Sequence, residues 1–152
     1  MIKEYTYYEA DKVYDIVRKI DKKEYFINSK FNLDNFDLGA IKSLMFNYKN
    51  IIWGINNEIV ILDNPTVYER EDIVEIILIS LKCSEIWDES IRKIKQEAAE
   101  FGWTGLRIVV LKKQISEELQ DRILAANFSL IGKVRSANIQ EEKLIYELNL
   151  EE

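Results

Sequence analysis

Histidine is absent from this chain of 152 residues, and cysteine and proline each occur only once. Without histidine, Ser-His-Asp and Cys-His catalysis are excluded, and the usual ligand sets for transition metals are lost. We therefore expect no metal cofactor. The lone cysteine, Cys83, cannot form an internal disulfide, and we expect it to be an inert packing residue rather than a nucleophile.

Long apolar runs are also missing, which argues against a membrane-spanning helix, and the first residues lack the apolar stretch of a signal peptide. We therefore expect a cytoplasmic protein without a membrane partner. Five glycines and one proline leave no linker, so residues 1–152 are predicted to form one domain. An excess of 27 acidic over 21 basic residues would repel a phosphate backbone, so we expect no nucleic-acid partner.

Hydrophobic periodicity and turn residues predict an alternation of strands and helices. Residues 73–81 are almost continuously apolar, which is typical of a central strand that is covered on both faces. Asn56 and Asn57 separate two apolar runs and predict a tight hairpin turn. The predicted order begins with strand 2–8, helix 11–20 and a helical stretch at 32–47, as one helix or two short turns of helix. Strands 51–55, 58–62 and 73–81, helix 87–101, strand 106–111, helix 116–127, and strands 128–134 and 144–150 follow.

Two junctions in this order resemble those of a known superfamily. Residues 97–110 carry a helix end, Gly102 and a strand start, and residues 124–133 carry Asn127-Phe128 at a helix exit followed by Leu130-Ile131-Gly132 in a strand. Both junctions and the element order are similar to the GNAT N-acetyltransferase superfamily over nearly the whole chain. The resemblance implies an α/β (α+β) fold with a mixed central sheet, as a single GNAT-like domain.

The resemblance also implies a site for acetyl-CoA. In that family two central strands splay apart and acyl-CoA lies in the gap, so the backbone of Ile79, Ser80 and Leu81 would face pantetheine. The diphosphate would sit at the start of the next helix, where the family reads Arg/Gln-x-x-Gly-x-Gly. Lys82 takes the Arg/Gln position, and Trp87 stands at the second glycine.

Other residues at this helix start depart from the family pattern. Glu85 occupies the first glycine position, and Asp88 and Glu89 add two further carboxylates that would repel a diphosphate. Glu75 lies inside the central strand and is the candidate general base by resemblance; the alternative is an ordinary carboxylate near an exposed strand start. Ile123 occupies the position of the family's tyrosine acid.

Three functions stay open from the sequence. The first is an acyl-CoA-dependent N-acetyltransferase that acts on a small-molecule or protein amine. The second is a catalytically inactive binding or regulatory module that has lost acyl-CoA, and the third is a structural subunit that forms a homodimer through its C-terminal strands. The tyrosines and phenylalanines concentrated in the first third either form an acceptor site or partner groove, or pack in the core.

Overall fold

Eight strands and four α-helices follow one another in the computed structural model, which describes residues 1–65, 72–135 and 141–151. The α-helices are α1 (Ala10–Val17), α2 (Leu38–Phe46), α3 (Ser84–Phe101) and α4 (Glu117–Ala125). The strands are β1 (Lys3–Glu4), β2 (Tyr25–Ile27), β3 (Asn50–Ile55), β4 (Glu58–Asp63), β5 (Ile73–Ser80), β6 (Gly105–Leu111), β7 (Ser129–Arg135) and β8 (Glu142–Asn149).

All eight strands belong to one mixed sheet with the order β1-β3-β4-β5-β6-β8-β7, and β2 pairs separately with β5. Only β5 and β6 pair in parallel; the other described neighbours are antiparallel. The predicted hairpin is confirmed as β3 and β4. Asn56 and Asn57 turn the chain there with φ values of 50° and 64°, which asparagine tolerates better than most residues.

Helices cover both faces of the sheet and create two apolar clusters. One cluster joins the sheet to α3 and α4 through Trp87, Ile94 and Ile123, all at most 2 % exposed. The other joins it to α1 and α2, with Val13 and Ile41 completely buried. This double cover explains why β5 is apolar on successive residues rather than on alternate ones.

The helix ends follow the predicted chemistry. Gly102 ends α3 with φ at 74°, a left-handed conformation that has little cost for glycine. Ser116 caps α4, because its side-chain oxygen accepts a hydrogen bond from Leu119 N at 3.1 Å.

The structure differs from the prediction at three places. The first strand is Lys3–Glu4 rather than residues 2–8, because the Glu9 carboxylate accepts a hydrogen bond from Thr6 N (3.2 Å) and the chain turns into a short 3₁₀ helix. The helical stretch predicted at 32–47 consists of a 3₁₀ turn at Leu33–Asn35 and the helix Leu38–Phe46, since Asp37 caps the helix by accepting from Ala40 N (2.9 Å). Strand β2 is absent from the prediction.

Within the described residues, no helix combines the length and apolar character needed to cross a membrane. The same residues contain no group of three histidine, cysteine, aspartate or glutamate side chains placed to hold a metal ion.

Candidate functional site

Strands β5 and β6 separate in the middle of the sheet. Their parallel ladder joins Ile73–Glu75 only to Gly105–Arg107. Beyond Glu75, β5 continues beside β4, whereas β6 continues beside β8 along its whole length. The gap that opens here corresponds to the site that the sequence resemblance predicts for acyl-CoA.

Strand β2 lies in this gap and pairs with the free edge of β5. Phe26 stands opposite Ile79 in an antiparallel register, flanked by the pairs Tyr25–Ser80 and Ile27–Leu78. Because β4 already pairs with Ile79 and Leu78 along the other edge of β5, β2 must use the edge that faces β6.

Two further backbone hydrogen bonds extend the pairing at both ends of β2. Leu81 N donates to Glu24 O at 2.8 Å, and Asn28 N donates to Ile77 O at 2.8 Å. The backbone that the resemblance assigns to pantetheine, at Ile79, Ser80 and Leu81, is therefore paired with the chain's own segment 24–28. We call this segment the closing segment.

Buried aromatic side chains fix the closing segment in place. Phe26 is 3 % exposed and belongs to the same apolar cluster as α3. The Tyr25 hydroxyl donates to Glu58 Oε2 at 2.5 Å and accepts from Ile59 N at 3.2 Å. Burial, followed by the hydrogen bond to Glu58, raises the pKa of Tyr25, so this hydroxyl stays a donor.

Side chains from two other elements also bind the two sides of the gap together. Arg122 of α4 donates to Leu81 O through Nε at 3.3 Å and through Nη2 at 3.2 Å. Gln114, which follows β6, donates from Nε2 to Ile27 O at 3.2 Å. The carbonyls at the end of β5 and in β2 are thus satisfied from within the chain.

The residues predicted to face a diphosphate at the start of α3 form contacts within the chain instead. Lys82 Nζ lies 2.5 Å from Glu24 Oε1, and this hydrogen bond raises the pKa of Lys82. Trp87 is 2 % exposed, and its indole Nε1 donates to Ser80 O at 2.8 Å. Glu85 remains exposed in the first turn of α3, where a carboxylate interacts favourably with the helix dipole.

Glu75, the predicted general base, lies where β5 and β6 separate. It is half-buried, and its Oε1 accepts a hydrogen bond from Asn28 Nδ2 at 3.1 Å. Burial raises the pKa of Glu75, and the Asp63 charge adds to this, while Arg107 and Lys30 oppose it. A raised pKa makes the ionised carboxylate a stronger base, which suits general base catalysis.

Comparison with solved structures identifies the fold. No protein-family model matches the chain, and no curated protein sequence matches it. Among solved structures, a ribosomal-protein-S5-alanine acetyltransferase from Vibrio fischeri matches with a TM-score of 0.71 and 8 % identity, covering 99 % of this chain and 92 % of that one. A probable acetyltransferase from Staphylococcus epidermidis matches at 0.68 and 13 % identity, covering 98 % of both chains.

An acetyltransferase of the GNAT family from Streptococcus pneumoniae matches with a TM-score of 0.69 and 10 % identity over 98 % of both chains. This chain has the GNAT fold. The aminoglycoside 6'-N-acetyltransferase from Enterococcus faecium is also similar, with a TM-score of 0.68 and 10 % identity, covering 99 % of this chain and 97 % of that one. At these identities the likeness concerns the fold alone.

Within the GNAT fold, the structure brings most of the predicted site residues to one place. Ile79, Ser80, Leu81 and Lys82 border the gap and contact the closing segment, and Glu75 lies at its inner end. Trp87 lies in the core, and Ile123, at the position of the family's tyrosine acid, is buried at 1 % exposure.

The sequence interpretation missed the closing segment itself. Residues 25–27 form only a three-residue run of two aromatic residues and one β-branched residue between charged and polar neighbours, below the length at which alternation identifies a strand. The available signal was the pair Tyr25-Phe26, two large apolar side chains in a connection that otherwise contains charged residues.

Proposed function

We propose that this chain is a non-catalytic binding protein of the GNAT fold, whose acyl-CoA gap is occupied by its own closing segment. The observation that carries the proposal is the antiparallel pairing of β2 with the edge of β5 that faces β6. Pantetheine and the closing segment need the same backbone groups of Ile79 and Leu81. Only one of them can occupy that edge at a time.

The closing segment would be costly to displace. Exposing the buried side chains of Tyr25 and Phe26 would cost about 1.5–3 kcal/mol each, and each broken hydrogen bond about 0.5–1.5 kcal/mol more. A total on the order of 5 kcal/mol would weaken the apparent affinity for a competing ligand roughly a thousandfold or more. The carboxylates at the start of α3 would repel a diphosphate and would not offset this cost.

Titration with acetyl-CoA tests this proposal. A ligand that binds only the folded state at about 100 times its Kd stabilises it by about 2.7 kcal/mol, which would raise the unfolding midpoint of a chain of this size by about 5–10 °C. We expect no saturable shift with acetyl-CoA or with longer acyl-CoAs at millimolar concentration. A saturable rise in the midpoint would contradict the proposal.

The second candidate is an acyl-CoA-dependent N-acetyltransferase that acts on a small-molecule or protein amine. Two properties of Glu75 favour this candidate. Its pKa is raised, and it lies where β5 and β6 separate. Glu75 would take the proton from the amine, the amine nitrogen would attack the thioester carbonyl, and CoA would leave as the thiolate. The closing segment would have to leave the gap before acetyl-CoA could enter.

A pair of variants separates the two candidates. In an enzyme, Phe26→Ala should loosen the closing segment and strengthen acetyl-CoA binding, and Glu75→Gln should abolish turnover while leaving acetyl-CoA binding intact. In a non-catalytic protein, Phe26→Ala should at most restore weak acetyl-CoA binding, and no acetyl transfer should appear in either variant. Circular dichroism of Phe26→Ala before titration establishes that the variant is folded.

A further inference from the structure

Asn28 attaches the inner end of the closing segment to β5 through both its backbone and its side chain. Its N–H donates to Ile77 O at 2.8 Å, and its side-chain Nδ2 donates to Glu75 Oε1 at 3.1 Å. Its Oδ1 accepts from Lys30 N at 2.8 Å, and the residue is only 4 % exposed although it is polar. The inner end of the closing segment therefore rests on a half-buried carboxyl group.

Ile27, the preceding residue, is held by a contact that does not involve Asn28. Gln114 Nε2 donates to Ile27 O at 3.2 Å, and Gln114 Oε1 accepts from Leu111 N at 3.1 Å. The side-chain amide of Gln114 thus links β2 to the end of β6. Release of Asn28 leaves this link intact, so the smallest opening begins after Ile27.

Glu75 belongs to a row of charged side chains that crosses four strands on one face of the sheet. The strand registers place side by side Asp63 of β4, Glu75 of β5, Arg107 of β6 and Glu147 of β8. Arg107 donates to Glu147 Oε1 through Nε at 2.8 Å and through Nη2 at 2.6 Å. Lys49 Nζ lies 3.0 Å from Asp63 Oδ1. The guanidinium nearest to Glu75 is therefore shared with a second carboxylate.

Ionisation of Glu75 changes the cost of releasing Asn28. While Asn28 is attached, burial is the largest cause of the raised pKa of Glu75, and the charge of Asp63 is the next. Arg107 opposes this shift most strongly, followed by Lys30 and by the hydrogen bond from Asn28. Release of Asn28 admits water to the carboxyl group and removes only the two weakest opposing effects. The ionised form of Glu75 therefore gains more from release than the protonated form.

We propose that the hydrogen bond between Asn28 and Glu75 is a pH-sensitive latch, which holds the inner end of the closing segment in acid and releases it more readily once Glu75 is ionised. The attached state binds the Glu75 proton more tightly than the released state. Attachment is therefore most stable in acid, and it weakens as pH rises from the pKa of Glu75 in the released state through its raised pKa in the attached state.

The latch rests on the pairing of β2 with β5, as the proposed function does, but it does not depend on the loss of acyl-CoA binding. A saturable thermal shift with acetyl-CoA would contradict the proposed function and leave the latch standing. A result against the latch would leave the outcome of that titration unaffected.

Amide hydrogen exchange of Asn28 in the full chain tests the latch between about pH 4 and pH 7. Each rate is divided by the rate of an unstructured peptide at the same pH, and the amides of the β3–β4 ladder report global unfolding. We expect the protection of the Asn28 amide to fall at least about threefold with rising pH, relative to that ladder. Constant or rising protection would overturn the proposal, and a rise would show that Arg107 and Lys30 outweigh burial.

Two glutamate variants connect this pH dependence to one carboxyl group. Glu75→Gln keeps an oxygen that accepts from Asn28 but cannot ionise, so protection of the Asn28 amide should no longer depend on pH. The matched control is Glu118→Gln, which removes an exposed carboxylate in the first turn of α4 and should keep the wild-type profile. A wild-type profile in Glu75→Gln, or a flat profile in both variants, would contradict the latch.

A lysine variant tests the direction of the effect. Lys30 is exposed, and Lys30→Gln removes a positive charge that stabilises ionised Glu75 only while Asn28 is attached. The backbone N–H of residue 30 still donates to Asn28 Oδ1 in this variant. We expect protection of the Asn28 amide to fall more steeply with pH than in the wild type. A shallower fall would contradict the proposal.

Discussion

At the scale of single residues, the raised pKa of Glu75 makes the stability of the fold depend on pH. The folded state binds this proton more tightly than the unfolded chain, whose carboxyl groups titrate near pH 4.3. The contribution of Glu75 to the free energy of unfolding is therefore greatest in acid. It declines as pH rises from the pKa of Glu75 in the unfolded chain through its raised pKa in the folded state.

Glu75→Gln should raise the thermal midpoint at neutral pH, because an amide oxygen can still accept from Asn28 and no charge is buried. The difference from the wild type should close as pH falls toward about 4. Thermal unfolding of both proteins between about pH 4 and pH 7 measures this difference in midpoint. A variant that is less stable at neutral pH would show that Arg107 and Lys30 outweigh burial at this site.

Tyr25 is the second residue whose hydroxyl should have a measurable effect. Tyr25→Phe leaves the buried Ile59 N–H without its acceptor and removes a hydrogen bond to a carboxylate, so we expect a loss of about 2 kcal/mol in the free energy of unfolding. Urea denaturation measures this loss. The control is Tyr14→Phe on α1, which should stay within about 0.5 kcal/mol; similar values for both variants would contradict the role of the Tyr25 hydroxyl.

At the scale of elements, Gly102 at the end of α3 and Gly132 in β7 form a matched pair of glycines. Gly102 has a positive φ and Gly132 does not, while a methyl group would meet no neighbour within 4 Å at either position. Gly102→Ala should therefore destabilise the fold by about 1 kcal/mol through backbone conformation alone, and Gly132→Ala should be neutral or slightly stabilising. Denaturant unfolding of both variants tests this, and equal effects would contradict it.

Elements with strong local signals were predictable from sequence. The β3–β4 hairpin follows from Asn56-Asn57, and α3 follows from its apolar spacing and Gly102. The predicted first strand was too long, because the Thr6–Glu9 hydrogen bonds of a turn compete with strand pairing in a tyrosine-rich stretch that pattern alone assigns to a strand.

At the scale of the whole molecule, the candidate site depends on contacts between residues that are far apart in sequence. Tyr25 pairs with Ser80, and Gln114 contacts Ile27 across a separation of 87 residues. Local propensity carries no information about such pairs. The family resemblance therefore predicted a gap near Glu75 and residues 79–82, but it did not predict that the closing segment lies in it. The same limit applies to Trp87, which the resemblance places at the second glycine of the diphosphate site, because sequence spacing does not show that its side chain is buried and donates to Ser80 O.

Amide hydrogen exchange of the closing segment tests the central claim most directly, because it reports whether segment 24–28 leaves the gap. We predict that the amides of Ile79 and Leu81 are protected to the same degree as those of the β4–β5 ladder, and that millimolar acetyl-CoA leaves their exchange and that of residues 24–28 unchanged. Faster exchange of residues 24–28 on addition of acetyl-CoA, with Ile79 and Leu81 still protected, would show that the cofactor replaces the segment and would contradict the account.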